Sequence, residues 1–150
     1  MALPVGRKVL LDTNVFIDYL RAELHADWVF GGKENVVRFV SAVVMMELHL
    51  GATTPKREKA VARIGAAFLT NRVVAPAAYL FPLAGRLFRK LYGERFADSD
   101  RLGPMNDLLI ALTAREIGAT VVTGHVAEFS RIADELPGLQ VLSPQAPISR

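Results

Sequence analysis

The chain has 150 residues, 51% of them hydrophobic, enough for one globular domain with a continuous core and too few for two comfortable ones. It has no cysteine, which excludes disulfides, thiolate metal sites and cysteine nucleophiles. A formal net charge of +3 is compatible with an anionic partner but does not require one.

No apolar run approaches the roughly 18 residues of a membrane span, and residues 1–8 lack the apolar core of a signal peptide, so a soluble cytoplasmic protein is expected. The first element is the apolar run Val9-Leu10-Leu11, ending on Asp12 and followed by Thr13 and Asn14. It reads as a buried strand feeding a helix over residues 14–24, with Val15, Ile17, Leu20 and Leu24 on one side. Gly31-Gly32 breaks the pattern, and residues 36–40, rich in β-branched and aromatic side chains, read as a second strand. Ser41 then caps a helix that runs to Leu50 and closes at Gly51. Thr54 caps the next helix, with Pro55 in its first turn, continuing to about residue 70. A short strand over 72–76 and a long helix over 77–95 follow. After a polar loop at 98–101, helical periodicity resumes at Gly103-Pro104 and runs to Glu116. The last elements are a strand over 119–123, a short helix over 126–135, a strand over 139–142 and a Pro-rich tail from about 143. Strands alternating with helices predict an α/β fold, a three-layer α/β/α sandwich around a mostly parallel sheet, in one domain covering 1–150.

Three carboxylates stand out. Asp12 ends a strand, the edge where open α/β sheets bind ligands, although an Asp there also caps the following helix. Glu47 lies in Val43-Val44-Met45-Met46-Glu47-Leu48, so its neighbours at helical spacing are Val43, Val44, Leu50 and Gly51. An acid on that face either reaches solvent at the rim or needs a hydrogen bond, an ion pair or a metal. Asp107 is expected in the first turn of its helix, where the dipole alone favours an acid, but Ile110, Ala111 and Ala114 share its face and point it inward. The loop Thr123-Gly124-His125 leaves a strand at the same edge as Asp12. His125 reads as a ligand or a hydrogen-bond donor, and Glu128 as a solvated helix residue. Acids converging on one sheet edge, without a G-x-S-x-G serine elbow, suit a hard divalent cation and phosphodiester hydrolysis.

In this order, Leu11-Asp12-Thr13-Asn14-Val15, then Glu47 with Leu48 and Gly51, then Gly103-Pro104-Met105-Asn106-Asp107-Leu108-Leu109-Ile110-Ala111, then Thr123-Gly124-His125 with Phe129, the chain resembles the PIN-domain ribonucleases. It is most similar to the VapC-type toxins of toxin–antitoxin pairs, and the likeness covers nearly the whole chain. The resemblance implies a compact α/β/α fold, RNA cleavage dependent on Mg²⁺ or Mn²⁺, a homodimer, and inhibition by a small VapB-like antitoxin. By position it makes Asp12, Glu47 and Asp107 the metal-binding acids, with Thr13 or Asn14 as polar support and Thr123 bonding to the carboxylates from behind. His125 departs from the family, which usually has Asp or Asn there, and leaves the metal count open.

Arg86, Arg89 and Lys90 share a helix face and, with Arg95 and Arg101, are candidates for contact with an RNA backbone, a solvated face being the plainer reading. Lys56, Arg57, Lys59 and Arg63 alternate with Glu58 and read as ordinary surface. Trp28, Phe30, Phe81, Phe88 and Phe96 divide between the core and a dimer or antitoxin face. Two rivals remain. A haloacid-dehalogenase-like phosphatase needs an acid two residues after Asp12, where this chain has Asn14. A PIN-fold module that binds RNA or antitoxin without turnover is the more serious alternative.

Overall fold

The structure is a computed structural model and describes residues 7–146; the first residues of the expected leader and the end of the Pro-rich tail lie outside them. Strand β1 (Lys8–Leu11) leads through Asp12 into helix α1 (Thr13–Ala22), and a short helix α2 (Ala26–Phe30) follows. Strand β2 (Val37–Ser41) runs directly into α3 (Ala42–Leu50), then α4 (Pro55–Ala66), strand β3 (Val73–Val74) and α5 (Leu80–Tyr92). The remaining elements are α6 (Leu102–Ile117), β4 (Thr120–Val122), α7 (Val126–Ala133) and β5 (Val141–Leu142).

The five strands form one parallel sheet in the order β3-β2-β1-β4-β5. Seven helices among the described residues flank it, giving the expected three-layer α/β/α arrangement. Val9, Leu10 and Leu11 are fully buried, as a central parallel strand covered on both faces requires, and this is why β1 reads as a continuous apolar run. The chain winds from β1 to β2 and β3 on one side, and β4 and β5 lie on the other. The order therefore reverses between β1 and β4, which opens a crevice outside their carboxyl ends.

Element ends depart from the sequence expectation for local reasons. Helix α1 stops at Ala22 because Glu23 turns left-handed, with φ 56°, and returns its N–H to Tyr19. The unexpected α2 exists because Trp28 and Val29 anchor in the core, with the Trp28 indole N–H donating to the Pro144 carbonyl at 2.7 Å. Helix α4 tightens after Ala66, as the amides of Ala67 and Phe68 reach back three residues and swing the Phe68 ring to within 6.0 Å of Phe16. Helix α5 starts later than expected, because residues 77–80 make a turn, and ends at Gly93, whose φ of 57° combined with ψ of −126° suits only glycine without strain. Helix α6 begins at Leu102, so Pro104 occupies its first turn, where no intrahelical N–H is needed.

Candidate active site

Asp12 both caps a helix and lines the candidate site. Its Oδ1 accepts the Thr13 amide at 2.8 Å, closing the first turn of α1. Its Oδ2 accepts the Thr123 hydroxyl at 2.8 Å and Asn14 Nδ2 at 2.9 Å. With 3% of its surface exposed, the carboxylate satisfies buried donors on two elements at once. Asn14 Nδ2 also donates to Thr123 Oγ1 at 3.1 Å, while Asn14 Oδ1 accepts the Gly124 amide at 2.9 Å. The His125 amide donates to the same Thr123 oxygen at 2.9 Å. The turn after β1 and the turn after β4 are thus laced together around Asp12.

Glu47 comes from α3. Its Oε1 accepts the Thr13 hydroxyl at 2.8 Å, and the side chain is half-buried. Asn106 Nδ2 is buried without a hydrogen-bond partner, yet it lies close enough to favour the ionised form of Glu47. Asp107 sits in the second turn of α6, not the first, because that helix starts at Leu102. Its position reflects the inward face of the helix more than the helix dipole.

Asp12, Glu47 and Asp107 line one cavity of about 490 Å³ at the carboxyl edge of the sheet, together with Asn14 and His125. All three acids are held above their ordinary values. Burial is the leading cause at Asp12, offset in part by the Thr123, Thr13 and Asn14 hydrogen bonds and by nearby His125. Burial also leads at Glu47, where the Thr13 bond lowers it and Asp12 raises it. Asp107 is pushed up to about 8 by burial and by the charges of Asp12, Glu47 and Glu128. Among the described residues, none of the three forms an ion pair. Without an ion-pair partner, burial raises all three, and repulsion between the acids adds to this at Glu47 and Asp107.

Glu128 was expected on a solvated helix face, but it is half-buried on the wall of the same cavity. It accepts a short hydrogen bond from the Tyr92 hydroxyl. Burial and the Glu128 charge push the Tyr92 phenol well up, so it remains a donor. The Tyr92 ring is gripped by Phe88 and Phe96, at 5.0 and 5.3 Å, and the Arg131 guanidinium lies 5.3 Å from its centre. Arg131 also stands 3.9 Å from Glu128. The signal in sequence was spacing, since Glu128 falls one helical turn beyond His125 and just before buried Phe129.

The expected basic residues divide. Arg95 lines the cavity, as does Arg131, which sequence reasoning did not single out. Arg86, Arg89 and Lys90 are exposed on α5 and do not line it; Lys90 pairs with Glu135 at 2.6 Å. Arg101 is exposed just before α6. Of the aromatics, Trp28 and Phe88 are buried and Phe30 and Phe81 exposed, while half-buried Phe96 forms part of the cavity wall.

The donor set suits a hard divalent cation, being carboxylate oxygens without thiolate competitors. Among the described residues, no three His, Asp or Glu side chains are drawn together tightly enough to hold one ion as they stand. The acids share a cavity and sense one another's charge without closing on a common point.

Residues 9–143 match the family model described as the PIN domain. Among solved structures, VapBC-1 from nontypeable Haemophilus influenzae is similar at 27% identity, over 91% of this chain and 98% of that one, with a TM-score of 0.61. DNA-bound VapBC from Salmonella typhimurium is 24% identical over 92% of this chain and 98% of its own, with a TM-score of 0.64. VapBC2 from Rickettsia felis, bound to a promoter DNA fragment, is 23% identical over 91% and 98%, with a TM-score of 0.59. These last two likenesses speak to the fold alone. A search of curated proteins finds no match.

Proposed function

Since the chain belongs to the PIN domain family, we propose that it is a nuclease, the toxin of a toxin–antitoxin pair, hydrolysing RNA phosphodiester bonds with Mg²⁺ or Mn²⁺. The observation that carries this reading is the set of unneutralised carboxylates in one cavity at the switch point of a parallel sheet.

Asp12, Glu47 and Asp107 would hold the cation, with Glu128 the nearest further acid, and His125 is at most an auxiliary ligand. A bound divalent cation supplies acidification of a water molecule and relief of charge on the phosphate. The chain's own residues do the positioning. Thr123, Asn14 and the Thr13 amide fix the Asp12 carboxylate, and the Thr13 hydroxyl fixes Glu47. Arg95 and Arg131 face the same cavity and offset phosphate charge as a strand enters. Ile17, Phe96 and Pro104 contribute apolar surface to the cavity lining. In the overall reaction a water oxygen bonds to phosphorus, the bond from phosphorus to the leaving oxygen breaks, and that oxygen takes up a proton.

A VapB-like antitoxin as inhibitor, a homodimer and action in the cytoplasm complete the proposal. Support for the first comes from the likeness to the Haemophilus influenzae VapBC-1 structure. Exposed Tyr79, Phe81 and Leu83 near the start of α5 give apolar surface suited to a second copy. No helix among the described residues is long and apolar enough to cross a membrane.

The test is incubation of the purified, antitoxin-free protein with total RNA in EDTA, Mg²⁺ or Mn²⁺, beside Asp12→Asn. Metal-dependent cleavage by the wild type alone supports the nuclease. Equal cleavage by both proteins sinks it, and RNA binding without turnover in any metal favours the binding-module alternative.

A further inference from the structure

A second cavity of about 730 Å³ adjoins the first, and Ile17 and Glu47 line both. Leu20, Leu48 and Val61 form part of its apolar floor. Its wall carries Arg21 from the last turn of α1 and Lys56 and Arg57 from the first turn of α4. Glu47 is the sole carboxylate in its lining. Among the described residues, none of the three cations has a carboxylate partner, although Arg57 donates to the Thr53 hydroxyl at 3.2 Å. Lys56 and Arg57 are exposed, as their alternation with Glu58 suggests, and they also line this concave surface.

We infer that this groove carries the nucleotides that flank the cleaved bond, as a single RNA strand crossing Glu47 out of the acid cavity. The inference rests on the nuclease reading and extends it. A strand held over an acidic centre is repelled there and needs positive charge on either side. Arg95 and Arg131 lie in the cavity on one side of Glu47, and Arg21, Lys56 and Arg57 lie in the groove on the other. Phosphates meet the cationic rim, and sugars and bases lie along Leu20, Leu48 and Val61. The groove lining has no aromatic ring for a base to stack on, so it reads the backbone more than the sequence.

The experiment measures binding of a fluorescein-labelled 20-nucleotide single-stranded RNA of mixed sequence to the full chain carrying Asp12→Asn, over a series of salt concentrations. In that background, Lys56→Glu with Arg57→Glu is compared with Lys59→Glu with Arg63→Glu, the same charge change on α4 outside the groove. The first pair is expected to lose about tenfold in affinity and to flatten the log–log salt slope by about 1.4, at about 0.7 for each phosphate no longer neutralised. The second pair is expected to change affinity less than twofold. Arg21→Glu, on a different helix, is expected to lose affinity like the first pair, so a folding defect in α4 cannot imitate the result. Equal losses in both α4 pairs, or no loss in the first, overturn the inference. Loss of binding to poly-L-glutamate with RNA binding intact also overturns it, and assigns the groove to an acidic protein segment. Wild-type cleavage is measured separately, so failure of the nuclease reading is not confused with failure of the groove.

Discussion

The Thr13 hydroxyl donates to Glu47 Oε1 at 2.8 Å, joining the residue that opens α1 to an acid on α3. One contact thus sets where the third helix presents its carboxylate. Thr13→Val keeps the shape and removes the donor. Cleavage is expected to fall about tenfold, as with other supports of metal-binding side chains, with a stability loss of about 1 kcal/mol. Thr13→Ser is expected to restore most of the rate. Wild-type kinetics for Thr13→Val in an RNA cleavage assay would show that Glu47 needs no such support.

Asp107 makes stability depend on pH. Its ordinary value is 3.8 and its folded value about 8, so between these limits the folded state keeps a proton that the unfolded chain has lost. Stability of the metal-free protein therefore falls as pH rises from about 4 to about 8 and levels off above. In EDTA, urea unfolding is expected to give lower stability at pH 8 than at pH 5.5. Asp107→Asn is expected to be more stable than wild type at pH 8, by on the order of a few kcal/mol, and to show a shallower pH dependence. Parallel pH profiles for the two proteins would remove Asp107 as the source.

Tyr92 is fixed by its ring and acts through its hydroxyl. Tyr92→Phe leaves the packing against Phe88 and Phe96 in place and frees the Glu128 carboxylate. The expected cost in stability is about 1 kcal/mol, and cleavage is expected to fall about tenfold at limiting Mn²⁺. Unchanged metal dependence in this variant would mean that the position of Glu128 does not matter.

His125 lies near Asp12 and lowers its carboxyl electrostatically. His125→Asp replaces an imidazole with a hard anionic oxygen, so Mn²⁺ is expected to bind more tightly, by about tenfold, because affinity rises with ligand charge. Without metal the added charge should lower the melting temperature. Calorimetry showing equal or weaker Mn²⁺ affinity would count against a role for this position at the metal.

The strands, the long helices and the acids at the sheet edge were legible because burial in a parallel sheet leaves a periodic and compositional trace. Val9-Leu10-Leu11 ending on Asp12 could hardly be read otherwise. Helix α2 was hidden because its five residues owe their form to Trp28 and Val29 finding the core, a tertiary effect. The start of α6 was misplaced because proline looks like a break and yet fits a first turn. Glu128 was missed because an acid in a short amphipathic helix looks solvated until Tyr92 arrives from α5, 36 residues earlier in the chain. Lys56 and Arg57 are on the surface, as their sequence suggests, but that this surface is concave was not legible, since concavity depends on α1 and α3 lying beside α4.

The central place of β1, between β2 and β4, carries a consequence for how the protein acquires activity. Val9 pairs with Thr120, across most of the chain, and the Asp12 network closes only once Thr123 arrives. Such long-range pairing tends to form late in folding. A nascent chain therefore carries Asp12 and Glu47 well before it can use them, and a harmful activity would stay silent until Thr123 has been made and β4 has paired with β1.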